Sequence, residues 1–314
     1  MLKIIKHEFL CNKIIFNNLK ILLLGDNKVY LKKLKKMKKI ILIICICSAF
    51  SYGQIKTPQP SPLSIVEQVV GLTNVTIKYS RPAMRNRTIM GDLVPYGEIW
   101  RAGANANTTI EFSDDVVVGG HSLVAGKYAI FIRPGVSMWE VFFYTKTDNG
   151  GLPEKWESDA VAAVAESSVT NLSNEVESFT ISIDDLNQNG AILNFKWENT
   201  QAGLELEVPT EAKTMASIKK TMEGEPKSRD YYSAAVYFRE TGRDLNKAKK
   251  WIAKAIKMDD GKYWMYRQQA LILIELNETE AAIAASQTSL ELATKAGNQD
   301  YVRMNKKAID EWSN

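Results

Sequence analysis

From residue 64 to residue 208 the chain is a succession of short β-branched and aromatic runs broken by Gly, Asn and Asp, with no helical stretch long enough to cross between parallel strands. That restricts this part to antiparallel pairing, in an all-β sandwich or a flattened barrel. The clearest runs are Val75 to Tyr79, Thr108 to Phe112, Lys127 to Ile132, Trp139 to Tyr144, Phe179 to Ile183, Ala191 to Trp197 and Leu204 to Val208. Several alternate an inward apolar residue with an outward polar one, and about nine strands are expected in all. Asp114-Asp115, Gly119-Gly120 and Pro134-Gly135 supply turns between them.

At Pro209 the composition changes to Ala, Lys, Glu and Leu at helical spacing, which makes the whole chain α+β. A period of 34 residues runs through this part: Ala248 returns as Ala282, Ile252 as Ser286, Ala255 as Ser289 and Ile256 as Leu290. Tyr231 and Ala235 return one place late, as Tyr266 and Ala270, with the extra residue in the turn around Gly242-Arg243-Asp244. Small residues at such places let paired helices approach closely, and the period resembles that of tetratricopeptide repeats. Helical hairpins are therefore expected over 228–258 and 263–296, with a closing helix from Asp300 to Trp312. The resemblance implies a concave surface for a protein partner; an unrelated pair of helical hairpins is the alternative.

The first 53 residues are different in kind. They hold eleven of the 40 basic residues and only Glu8 and Asp26 of the 36 acidic ones, which leaves 29 basic against 34 acidic residues in the rest. The overall charge of +4 therefore says nothing about the folded body, and gives no reason to expect a nucleic-acid partner. Met37-Lys38-Lys39, the apolar run Ile40 to Phe50 and then Ser51-Tyr52-Gly53 have the three-part build of a secretory signal peptide cleaved before Gln54. On this reading residues 1–36 reflect a start codon placed too early, 37–53 are removed on export, and 54–63 form a Pro-rich leader. Expected domains are then 64–208 and 209–314, in a periplasmic or extracellular protein with no stable membrane anchor after processing. Cys11, Cys45, Cys47 and His7 all precede Gln54, so the body has His121 and no cysteine. Disulfides, thiolate metal sites, Cys nucleophiles and His pairs are excluded there, and no metal or cofactor is expected. His121 follows Gly119-Gly120, the place of a hairpin turn, and is given no role in a mechanism.

The densest block of chemistry is Tyr79-Ser80-Arg81-Pro82, then Arg87, Gly91-Asp92-Leu93-Val94-Pro95-Tyr96-Gly97 and Trp100-Arg101-Ala102-Gly103-Ala104-Asn105. With Gly120, Ala125-Gly126-Lys127-Tyr128, Trp139, Phe179-Thr180-Ile181 and Trp197-Glu198, this block resembles the bacterial domain-of-unknown-function family numbered 2911, over about residues 61–208. The resemblance implies an exported β-rich domain and no particular activity.

Read by chemistry alone, arginine forks among aromatic faces suit a small anionic or glycan ligand. The candidate binding residues are Arg81, Arg101, Asn105, Tyr79, Trp100 and Arg87. The competing reading is that these arginines tie a long loop to Asp92, Glu98, Glu111 or backbone carbonyls. Two further classes stay open: a carbohydrate hydrolase using Asp92, Glu98, Glu111, Asp114 or Asp115, and a purely structural envelope protein. No phosphate-cradling glycine loop, serine elbow or zinc helix signature is present, so a binding module leads over an enzyme.

Overall fold

The computed structural model describes residues 57–314 together with Lys33, Leu34, Lys36 and Met37, which are helical. The apolar run Ile40 to Phe50 and the cleavage point after Gly53 lie outside the described residues. The chain divides into two units, Met1–Pro58 and Gln59–Asn314, and every element below belongs to the second.

Nine strands come first: β1 Leu63–Val70, β2 Thr73–Ser80, β3 Ala104–Phe112, β4 Val116–Val118, β5 His121–Leu123, β6 Gly126–Pro134, β7 Met138–Tyr144, β8 Val161–Asp184 and β9 Gly190–Glu207. They form one antiparallel sheet in the order β1-β2-β3-β6-β7-β8-β9-β4-β5. Strand β8 pairs with β7 through Val161–Ser168 and with β9 from Val169 to Asp184, so the sheet turns a corner inside this one strand. Beyond the corner, the free edge of β8 takes backbone bonds from the chain leaving β2: Phe179 N–H donates to Pro82 O and Met84 N–H to Glu177 O. Strands on both sides of the corner share one apolar core that includes Ile77, Ile110, Trp139, Phe179, Leu193, Phe195 and Trp197. Burying side chains of this size stabilises the fold by about 1.5–3 kcal/mol each.

Two expected strands, Ala191 to Trp197 and Leu204 to Val208, are a single strand, β9. Glu198 sits at φ +55° between them and the register with β8 shifts there, so a bulge takes the place of the expected break. Strand β1 begins at Leu63, one residue inside the expected leader. The outer face of β6 and β7 is also covered: Trp156, from the loop between β7 and β8, lies against Phe131, Phe142 and Tyr144 with ring centroids 4.9–5.5 Å apart.

Six helices follow: α1 Thr210–Met222, α2 Ser228–Glu240, α3 Leu245–Met258, α4 Tyr263–Glu275, α5 Thr279–Lys295 and α6 Gln299–Ser313. The expected hairpins are α2–α3 and α4–α5, and the closing helix is α6. Asp244 and Asn298 cap α3 and α6, accepting from the N–H groups of Lys247 and Tyr301. The repeat residues Ala235, Ala248, Ile252, Ala255, Ala270, Ala282, Ser286 and Ser289 are all fully buried, which is what their spacing requires. Ser289 keeps its hydroxyl satisfied by donating to Tyr263 O and accepting from Asn305 Nδ2. Helix α1 is outside the repeat and seats on the sheet: Thr210 is buried and Lys213 Nζ bonds Leu72 O and Asp114 Oδ1. Among the described residues no helix is long and apolar enough to cross a membrane.

Candidate functional site

The long connection between β2 and β3 carries the Arg-rich block, and its arginines bond mainly to backbone. Arg81 Nε donates to Phe179 O at 3.0 Å and its Nη2 to Thr180 Oγ1 at 2.6 Å, fastening the end of β2 to β8. Arg87 curls onto Met84 O and Ala83 O within its own loop. Arg85, which sequence reasoning passed over, reaches Pro60 O. None of these arginines forms an ion pair with Asp92, Glu98 or Glu111. Of the two tethering partners weighed from sequence, the carbonyls are the ones used.

Two aromatic members of the block serve the core, Tyr79 within it and Trp100 half-buried against it, while Tyr96 is exposed. Tyr79 is 2% exposed, and its hydroxyl donates to Ile181 O and accepts from Ile181 N–H. The Trp100 ring stacks on Trp197 at 5.6 Å and meets Phe179 edge-on at 4.8 Å, while its backbone bridges to Ile132. Their faces are given to the fold.

Arg101 lies in the turn into β3, and Asn105 is the second residue of that strand. Here Ala102, Gly103 and Asn105 all have positive φ, and a Cβ on Gly103 would come within 2.9 Å of Ser80 O and Thr108 Oγ1. Glycine is therefore required at the centre of Arg-Ala-Gly-Ala-Asn. The turn aims Asn105 Nδ2 at Ser61 O and Ser80 Oγ, so Asn105 holds the leader against the sheet. Arg101 makes one long contact, from Nη1 to Asn105 O at 3.4 Å, and otherwise abuts Gly151 at the tip of the β7–β8 loop.

Two residues on from Asn105, on the same strand, stands Asn107, and beside it opens a cleft of about 330 Å³. Its walls are Lys78, Ser80, Thr109 and Lys127 on the sheet and Thr147, Asp148 and Gly150 on the loop, with Leu63 at the edge strand. Asn107 is only 8% exposed. Its Oδ1 accepts the Gly151 N–H at 3.0 Å, which fixes the orientation of the amide, since only an oxygen can accept there. Its Nδ2 is buried and has no partner. A buried donor left unpaired costs roughly 1–3 kcal/mol, and a polar ligand atom in the cleft would remove that cost. Neither Lys78 nor Lys127 forms an ion pair among the described residues. The cross-strand register sets Lys78 opposite Thr109, and Thr109 opposite Ala129, two places from Lys127, so both lysines stand on the face that carries Asn107.

Sequence reasoning missed Asn107, Lys78 and Lys127. No strand periodicity in the sequence marked Asn107, because Asn105 stands at φ +59° and the register with β2 shifts between the Lys78–Thr109 and Ser80–Ala104 pairs.

The carboxylates considered for hydrolysis are engaged elsewhere in two cases. Asp115 Oδ1 accepts the Ala125 N–H across a turn. Asp114 accepts from Lys213, Ser113 and Thr73, and the Lys213 hydrogen bond leads the effects that hold its carboxyl below the ordinary range. Among the described residues no three His, Cys, Asp or Glu side chains converge as a metal site would require. His121 opens the edge strand β5, exposed, directly after the glycine turn. On the helices, Arg239 bonds Glu240, Glu275 and Gln268, whereas Arg267 lies 5.8 Å from the Trp312 ring with a buried, unpartnered Nη1. Burial and the neighbouring Arg239 shift the Arg267 guanidinium down.

Residues 61–206 match the family described as Protein of unknown function (DUF2911), a stretch that runs from the Asn105-bound leader to the end of β9 and takes in the whole cleft. No curated protein and no solved structure matches the chain.

Proposed function

We propose that this is an exported binding protein whose sheet takes a small anionic or glycan ligand in the Asn107 cleft and whose helical hairpins offer a surface to a protein partner. One observation carries the ligand reading: a side chain 92% buried, oriented by the Gly151 N–H, that keeps an unpartnered donor in the wall of a cleft also lined by Lys78, Lys127 and Asp148. An isolated structural asparagine would be expected to spend both ends of its amide on the protein. The carbohydrate hydrolase alternative has no comparable support, because Asp114 is committed to Lys213 and Thr73.

Of the residues first singled out, Arg101 and Asn105 adjoin the cleft and shape it, while Arg81, Arg87, Tyr79 and Trp100 act by holding the surrounding loop. A thermal-shift screen against organic anions and glycans tests the reading, with Asn107→Asp as the control. Aspartate keeps the acceptor for Gly151 but replaces the donor by a negative charge. At least one anion should raise the Tm of the wild type and not that of Asn107→Asp. If the same compounds shift both proteins equally, or none shifts either, the cleft is not a binding site.

Export is tested separately by N-terminal sequencing of secreted material, which should begin at Gln54. Mature protein starting near Met1 would overturn it.

A further inference from the structure

Leu63 stands at the mouth of the cleft and is 67% exposed, and Ile65, two places along the same face of β1, is 53% exposed. Two large aliphatic side chains left this open side by side form an apolar strip that continues from the cleft, and covering them would be favourable. Strand β1 is the edge of the sheet, so among the described residues no further strand blocks an exit over them. Their position is also held: Asn105 Nδ2 grips Ser61 O, Arg81 N–H donates to Pro62 O, and Ile65 pairs with Lys78 of the cleft wall.

Resting on the binding reading above, we propose that the ligand is an amphiphile: a carboxylate head bound by Asn107 Nδ2, Lys78 and Lys127, and an aliphatic chain that leaves the cleft across Leu63 and Ile65. Charge favours an anionic head, since the cleft sets the two ammonium groups of Lys78 and Lys127, neither of them in an ion pair among the described residues, against the single carboxylate of Asp148. The apolar strip fixes the tail and its length. Leu63 to Ile65 spans about 7 Å of strand, after which the exposed Glu67 occupies the same face and ends the strip. Affinity should therefore rise with chain length and then level off, rather than climb indefinitely as it would for partition into a micelle.

Calorimetric titration with acetate, octanoate, dodecanoate and glucuronate, each below any micellar concentration, separates the outcomes. Each methylene that the strip covers strengthens binding about fourfold. Octanoate should accordingly bind at least roughly tenfold tighter than acetate, with dodecanoate little better than octanoate. Ile65→Thr should weaken octanoate severalfold and leave acetate unchanged, and Asn107→Asp should weaken every anion. Binding of acetate and glucuronate that depends on Asn107, with no gain from chain length, overturns the amphiphile while leaving the binding reading intact. Failure of all four anions to bind overturns the amphiphile, and the wider thermal-shift screen then decides the binding reading. Should Ile65→Thr instead reduce the sedimenting mass of the protein without changing octanoate affinity, the strip is a contact between copies of this chain and the proposal falls.

Discussion

Lys213 Nζ lies 2.6 Å from Asp114 Oδ1 and 3.0 Å from the carbonyl oxygen of Leu72, so a single side chain of the first helix holds the turn after β3 and the turn before β2 together. The link joins α1 to the body of the sheet, and it titrates. The Lys213 hydrogen bond, aided by Ser113 and Thr73 and opposed by burial, depresses the Asp114 carboxyl. A depressed carboxyl contributes stability that is fully present above its unfolded value, about 3.9, and is lost as pH falls through its lower folded value. Asp114→Asn should therefore lower the Tm at neutral pH, and the gap to wild type should close as the medium is acidified below about pH 4. Melting curves across that range check it; a gap that stays constant with pH means that the pair contributes packing alone.

Gly71 and Thr210 are the steric side of the same junction. Gly71 begins the β1–β2 turn at φ +55°, and a Cβ there would overlap Thr210 Oγ1 and come within 2.6 Å of Gln188 O. Gly71→Ala thus meets both a left-handed backbone and the first residue of α1, and should cost about 2 kcal/mol or more. Because part of the clash is with the Thr210 side chain, Thr210→Ala should relieve some of the loss. Denaturant midpoints of the two single variants and the double variant measure that coupling, and purely additive effects would place the strain entirely in the turn.

The architecture was largely legible before any coordinates. Alternation of buried and exposed residues wrote β2 into the sequence, continuous apolar and aromatic runs marked β6 and β7, and the return of Ala248 as Ala282 fixed both helical hairpins to within a residue or two. What failed to show were features defined by partners far along the chain. The break seen at Glu198 is a bulge, because Ala202 pairs with Val169 and carries the strand across it. The first half of β8 was missed since Ala162-Ala163, Ser167 and Ser168 lack the bulk that marks a strand; β7 supplies it from the neighbouring position. The cleft was hidden for a similar reason. Asn107 acquires its meaning from Gly151, which lies 44 residues away and is brought over it by the anchoring of Trp156 on Phe131 and Tyr144. The Arg-rich block drew attention because its side chains are dense in sequence, yet most of them serve the loop that frames the cleft.

A chain ending at Val208 should still fold cooperatively, because the core of the sheet contains no residue of the helical hairpins. It loses Lys213 on Asp114 and the cover that Thr210 gives Gly71, so its Tm should lie below that of the longer chain ending at Asn314. Calorimetry on the two lengths decides the matter. Absence of any cooperative transition in the shorter one would show that the sheet depends on its helices.

Arg81 and Arg101 separate tethering from site-shaping within one motif. Arg81 donates from two atoms, to Phe179 O and Thr180 Oγ1, across the corner where the loop after β2 meets β8. Lysine has a single ammonium on a flexible stem and cannot reproduce that fork, so Arg81→Lys should be nearly as damaging as Arg81→Ala, at about 1–3 kcal/mol. Arg101 has only the 3.4 Å contact to Asn105 O and no acidic partner, so removing it strands no buried charge. Both Arg101→Lys and Arg101→Ala should melt within about 0.5 kcal/mol of wild type, the range of ordinary surface changes. Their effect should appear in binding instead. Arg101 abuts Gly151, whose N–H orients Asn107, so loss of its side chain frees the loop tip and weakens any anion held in the cleft. Equal destabilisation by the two Arg101 variants, with unchanged anion affinity, would move Arg101 into the tethering group with Arg81.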